Sequence, residues 1–171
     1  VHLIGSKALV DTVLAAGAIE SDDPDYVVAS IDLDLKISDM TPAIRHLTSG
    51  AQFLATNYDA VIPTHDGPEP EAGPIVAFLE AASGEKAIIL GKPHTLLFEI
   101  AIGKLGVSKD KVILIGDTPA TDIAGARAAG LRSILVASGN PASSLIDTQE
   151  PTLRFANLKA ALPFLISHID T

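Results

Sequence analysis

The chain predicts a doubly wound α/β fold, and three observations carry that prediction. Short blocks of aliphatic and β-branched residues alternate with helical patterns, glycine or proline punctuates most of the junctions, and no internal period repeats along the chain. With 171 residues, 47% of them hydrophobic, there is enough apolar material for one large domain or for a smaller core carrying a compact insert.

The elements follow in order. His2–Ile4 reads as a strand, and Ser6 as the cap of a helix whose apolar positions Leu9, Val10, Val13 and Leu14 precede a stop at Gly17. After the acidic connector Ser21–Asp25, residues Tyr26–Ile37 predict a half-buried strand, because Ile31, Leu33, Leu35 and Ile37 alternate with Asp32, Asp34 and Lys36. Ser38 opens a helix with Met40, Ile44 and Leu47 on one face and Gly50 at its end, and Gln52–Ala55 returns as a strand. Thr56–Gly73 is rich in proline, glycine and acid and predicts a long loop. Pro74 suits the first turn of a helix through Ala82 that stops at Gly84, and Ala87–Leu90 is a strand leading into Gly91-Lys92-Pro93. The helix Thr95–Leu105, the strand Lys111–Ile115, a Gly-Asp loop and the helix Ile123–Ala129 come next. Strand Ser133–Val136, a short helix near Pro141–Leu145, a strand near Leu153–Ala156 and a helix Leu158–Ile166 complete what reads as the second half of a doubly wound sheet.

Composition excludes several classes. Lys and Arg number 12 against 21 Asp and Glu, and a net charge of -9 with scattered basic residues is the wrong footprint for nucleic acid. No apolar run approaches a membrane span and no charged-then-apolar leader opens the chain, so a soluble, cytoplasmic protein is expected. The absence of cysteine removes disulfides, thiolate metal sites and cysteine nucleophiles, and the five histidines show no metal-ligand spacing.

Chemistry concentrates in Gly116-Asp117-Thr118-Pro119-Ala120-Thr121-Asp122, which leaves an apolar strand and enters a helix. A carboxylate at the carboxyl end of a parallel strand points into the crevice where such sheets bind ligands, and Mg²⁺ takes one or two carboxylates with waters and phosphate oxygens. Asp117 and Asp122 fit that pattern; an ordinary turn with Asp122 as a helix cap is the plainer alternative. Lys92, fixed between Gly91 and Pro93 ahead of a helix, offers a cation to an anion in the same kind of crevice. A solvated lysine in a tight turn is its plainer alternative.

Gly91-Lys92-Pro93, followed by Gly116-Asp117 and by Thr121-Asp122-Ile123 with Gly125 and Gly130-Leu131, resembles the third and fourth motifs of the haloacid dehalogenase superfamily. The segment Phe53–Pro63 is similar to the cap of its nitrophenylphosphatase-like branch, whose members are Mg²⁺-dependent phosphate-monoester phosphatases. The resemblance implies a Rossmann-like, three-layer core, here incomplete, formed by 1–20 and 87–171, with an inserted α/β cap over 21–86. It implies that Lys92 holds the transferring phosphoryl group, Asp117 binds Mg²⁺ and Asp122 serves the metal site. It further implies that Asn57 and Asp59 approach the mouth of the site, with His65 in the specificity loop over Val61–Gly67. The partner it implies is a small-molecule phosphate ester. His94 departs from the family, which has a small residue there; contact with phosphate when protonated and packing at the helix start are its two readings.

The family's Asp-x-Asp-Gly nucleophile segment and its second motif are not found among the 171 residues. Asp32-Leu33-Asp34 has the Asp-x-Asp spacing, but the alternation through Leu35-Lys36-Ile37 and the lack of a following glycine read as an ordinary polar strand face. In the family's sheet two absent strands would separate His2–Ile4 from Val112–Ile115, a gap of about 14 Å. A first residue other than methionine favours an upstream segment that completes the sheet; a second chain, as in a homodimer, that supplies the strands and a rearranged core are the other two explanations. The competing expectation is a catalytically incomplete relative that binds phosphate or metal, or that serves as an interaction module.

Overall fold

The computed structural model describes residues 1–137 and 150–168. The short helix expected near Pro141–Leu145 lies outside the described residues. Two compact units make up the chain, Val1–Gly91 and Lys92–Thr171.

The first unit is built on a parallel sheet in the order β1 (His2–Ile4), β2 (Tyr26–Ala29), β3 (Gln52–Ala55) and β6 (Ile88–Ile89). Parallel neighbours need crossovers, which α1 (Lys7–Ala15) and α2 (Thr41–Thr48) provide between the first three strands. Strand β2 is buried at three of its four residues, as the continuous apolar run Val27-Val28-Ala29 requires of an inner parallel strand. Ile4, Val27, Ala29, Phe53 and Ala55 from the sheet close over Ala43 and Leu47 of α2 and over Val76 and Leu79 of α3 (Ala72–Ser83). Between β3 and α3 an antiparallel hairpin, β4 (Val61–Thr64) with β5 (Gly67–Pro70), stands as its own two-stranded sheet.

Three expectations change here. The strand expected over Tyr26–Ile37 ends at Ala29, because Asp32 takes the local backbone for itself: its Oδ1 accepts the Asp34 N–H at 3.0 Å. Leu33 and Ile37, apolar positions of the supposed strand face, are 65% and 71% exposed. Asp32 and Asp34 therefore sit in a turn beyond a parallel strand and not on a strand face. The expected loop Thr56–Gly73 contains the β4–β5 hairpin, whose Pro63, Pro68 and Pro70 hid it; with only two strands, both have an outer edge where a missing N–H costs nothing. Finally, His2–Ile4 pairs in register with Val27–Ala29, so the first twenty residues and β6 share a unit with the 21–86 segment. This differs from the expected division into 1–20 with 87–171 and a separate 21–86.

The second unit carries a parallel sheet, β7 (Ile113–Gly116), β8 (Arg132–Val136) and β9 (Leu153–Phe155), with α4 (Leu96–Leu105), α5 (Ala124–Ala128) and α6 (Leu158–Ile166). Strand β8 is central and buried from Ser133 to Val136. Helix α5 packs on Phe98 of α4 at Gly125, where a Cβ would fall 2.5 Å from the ring. Asn157 caps α6, its Oδ1 accepting the Ala160 N–H at 2.9 Å. Among the described residues no helix is long and apolar enough to cross a membrane.

A pH dependence follows from β1. The Nε2 atom of His2 is buried without a hydrogen-bond partner, and its ring lies 5.0 Å from that of His46 on α2. Burial first, then His46, hold the His2 pKa below the ordinary histidine value, with Glu20 opposing and the amino terminus adding to the effect. A base with a depressed folded-state pKa is favoured neutral, so the stability it allows is complete above about pH 6.5 and falls as pH drops through the folded value. Urea unfolding at pH 5 and pH 7.5 should show less loss at the acid end for His2→Phe than for the parent chain. Equal losses would remove His2 as the source.

Candidate active site

The site is assembled at the carboxyl end of β7. Gly116 ends the strand, Asp117 and Thr118 form the loop, and Pro119–Ile123 winds a single wide π-type turn that brings Asp122 back beneath the loop. The Thr118 carbonyl accepts the Asp122 N–H at 2.8 Å and starts that turn. Asp122 is buried, and each of its carboxylate oxygens is engaged. Oδ1 accepts from Lys92 Nζ at 2.5 Å, and Oδ2 accepts the backbone N–H groups of Asp117 and Thr118, both at 3.1 Å. These are charge-assisted bonds, stronger than neutral ones. Gly116 is what lets the carboxylate come so near: a Cβ on it would lie 2.3 Å from Asp122 Cβ and 2.5 Å from Oδ2.

Thr118 completes the loop by donating its hydroxyl to Asp117 Oδ1 at 3.1 Å. Lys92 precedes a cis peptide to Pro93, and its side chain is 44% exposed, so its ammonium is anchored on Asp122 while remaining open to solvent. An ammonium has three donors, and an anion can take those beyond the one given to Asp122. Of the two carboxylates expected to meet a cation, Asp122 holds Lys92 and the loop, and Asp117 lies in the loop at the strand end. Oxygen donors without thiolate or imidazole suit a hard cation such as Mg²⁺. Among the described residues no three His, Asp or Glu side chains converge as a complete cage.

Asn57 and Asp59 lie in the first unit, just past β3. Asn57 Nδ2 donates to Glu71 Oε1 at 3.1 Å and, more weakly, to Asp59 Oδ2 at 3.4 Å, tying the entry of the hairpin to its exit. Thr56 donates to Ser30 Oγ at 2.8 Å beside them. Gly73 permits a close return of the chain, since a Cβ there would lie 2.7 Å from the carbonyl oxygens of Tyr58 and Asp59. His65 is at the turn of the hairpin with its ring fully exposed; among the described residues it pairs with Asp66 and is not joined to Asn57 or Asp59. His94 is exposed.

Sequence reasoning gave no individual role to Glu71, Glu80 or Thr118. Glu80 on α3 accepts from Tyr58 Oη, Lys86 Nζ and the Ala87 N–H, bracing the residues after β3 against the approach to β6. Burial alone would raise its pKa, but those hydrogen bonds, led by Lys86, hold it below the usual value. Glu71 meets a partner fourteen residues away, and Glu80 gathers partners six, seven and twenty-two residues away, which no local pattern marks. Thr118 did carry a signal, a hydroxyl next to an aspartate in a turn.

Comparison with known proteins bears on this geometry directly. Residues 89–161, which contain Lys92, Asp117 and Asp122, match the HAD-hydrolase-like family. The chain belongs to the haloacid dehalogenase superfamily. It is 31% identical over 166 residues to an acid sugar phosphatase of Staphylococcus epidermidis, covering 95% of this chain and 64% of that protein. Among solved structures of the superfamily, the 4-nitrophenylphosphatase of Thermotoga maritima superposes with a TM-score of 0.87 at 33% identity, covering 95% of this chain and 64% of the other. A glycerol phosphate phosphatase from Mycobacterium tuberculosis, solved in complex with magnesium, gives a TM-score of 0.84 at 32% identity over 92% of this chain and 50% of the other. The chain thus spans between half and about two thirds of the length of these phosphatases.

Gly116→Ala tests the packing of this superfamily loop. The added Cβ cannot coexist with the Asp122 carboxylate, so the variant should lose about 1–3 kcal/mol of stability in chemical unfolding of the second unit. A variant as stable as the parent would show that Asp122 is not held against Gly116.

Proposed function

We propose that this chain carries the phosphate-holding and cation-holding part of a phosphate-monoester phosphatase acting on small phosphorylated metabolites. The observation that carries the proposal is the Lys92–Asp122 pair locked under the Asp117 loop at the end of β7, in a chain whose relatives are named phosphatases. Lys92 binds the charge of the phosphoryl oxygens, and its anchorage on Asp122 fixes where that charge must sit. Asp117 holds Mg²⁺, and Asp122 positions both. When bound, Mg²⁺ neutralises charge on the phosphoryl oxygens. Asn57 and Asp59, braced by Glu71, contact the leaving group, and His65 belongs to the loop that selects it.

The nucleophile comes from polypeptide outside these 171 residues, a preceding segment or a second chain, since no Asp-x-Asp-Gly occurs among them. The same fact favours a second reading, a relative without catalysis that retains phosphate or metal binding.

Hydrolysis of 4-nitrophenyl phosphate in the presence of Mg²⁺ separates the two readings. The chain alone should be inactive. Joined behind the amino-terminal part of the Thermotoga maritima relative, it should be active, and Asp117→Asn or Lys92→Ala should then lower kcat/KM roughly 10²–10³-fold. Parental activity in Asp117→Asn would overturn the assignment of that residue. Turnover by the 171 residues alone would overturn the external nucleophile and return attention to Asp32 and Asp34.

A further inference from the structure

We infer that Thr118 is a positioning residue, whose hydroxyl sets the orientation of the Asp117 carboxylate toward its cation. The inference rests on the reading of Asp117 as the cation ligand and adds to it the residue that aims the ligand. Thr118 makes three kinds of bond at the loop. Its N–H donates to Asp122 Oδ2 at 3.1 Å, its carbonyl accepts the Asp122 N–H at 2.8 Å, and its hydroxyl donates to Asp117 Oδ1 at 3.1 Å. The first two are backbone bonds that any residue other than proline could make. The third belongs to the side chain.

The torsion of a carboxylate about Cβ–Cγ is broad and roughly two-fold, so an aspartate at a strand end does not orient its oxygens by itself. An ionised carboxylate only accepts, so the Thr118 hydroxyl must be the donor, and that bond selects one rotation of the carboxylate plane. Because Thr118 is itself clamped to buried Asp122, the hydroxyl approaches from a fixed direction. Hydrogen-bond partners of this sort typically contribute 10–100-fold to metal affinity by orienting the ligand.

Mn²⁺ serves as a paramagnetic probe for the Mg²⁺ site, read by broadening of the backbone amide signals of residues 116–118 in the 171-residue chain. This measurement registers weak binding and needs no turnover. In the parent chain Mn²⁺ should broaden these signals, and Asp117→Asn should abolish the effect. Thr118→Val should raise the Mn²⁺ concentration for half-broadening roughly tenfold, with the metal-free spectrum outside the loop unchanged, while Thr118→Ser stays within about twofold of the parent. Should valine disturb the metal-free spectrum, Thr118→Ala against Thr118→Ser makes the same comparison. Broadening in Thr118→Val or Thr118→Ala at the parental concentration, or a loss of affinity in Thr118→Ser as large as in valine, overturns the role of the hydroxyl while leaving Asp117 as ligand. No broadening in the parent chain overturns the Asp117 reading itself.

Discussion

The arrangement at the end of β7 depends on one buried carboxylate. Asp122 accepts an ammonium on one oxygen and two backbone amides on the other, and each of those bonds fixes a different part of the site. The ammonium bond fixes Lys92, thirty residues earlier in the chain. The amide bonds fix the backbone from which Asp117 projects. Burying such a charge would be costly if it were left unpaired, and the three donors offset that cost together, so removing one leaves the others serving a poorly solvated anion. Gly116 and the wide turn over Pro119–Ile123 are the steric conditions for the same approach.

Much of this was legible in the residue string, and the reasons differ from one feature to the next. Strands β3 and β8 and helices α4 and α6 were readable because each is a short apolar or periodic block between strong stop signals. The pairing of Lys92 with the Asp117 loop was readable only because two separate sequence patterns point to one kind of crevice. What misled was polar residues acting through their side chains. The alternation from Ile31 to Ile37 has the period of a strand, yet Asp32 captures the Asp34 N–H and the chain turns. The hairpin from Val61 to Pro70 was masked because proline is a poor strand former in general and a tolerable one on an outer edge.

The place of His2–Ile4 was misjudged for a different reason. A three-residue apolar block carries no information about its neighbour, since any parallel strand offers the same backbone groups. Only the register with Val27–Ala29 shows that it completes the edge of the first sheet, and no pattern along one strand reveals register. Likewise the sequence signature of Asp122 says nothing of the contacts by which it holds Lys92 and the loop that carries Asp117.

The unequal exposure of the Lys92–Asp122 pair bears on how an anion would be captured under the proposed function. Its negative member is buried and its positive member is 44% exposed, so from solvent it is an oriented dipole with its cationic end outward. The chain as a whole carries -9, and at long range its field repels anions. Charges more than about 10 Å away, roughly the Debye length at 0.1 M salt, are largely screened, so at contact the ammonium is the near charge that an anion meets. Encounter is therefore unassisted by electrostatic steering, and retention is decided at contact, where a rigidly held ammonium loses less freedom on meeting a phosphate than a loose one.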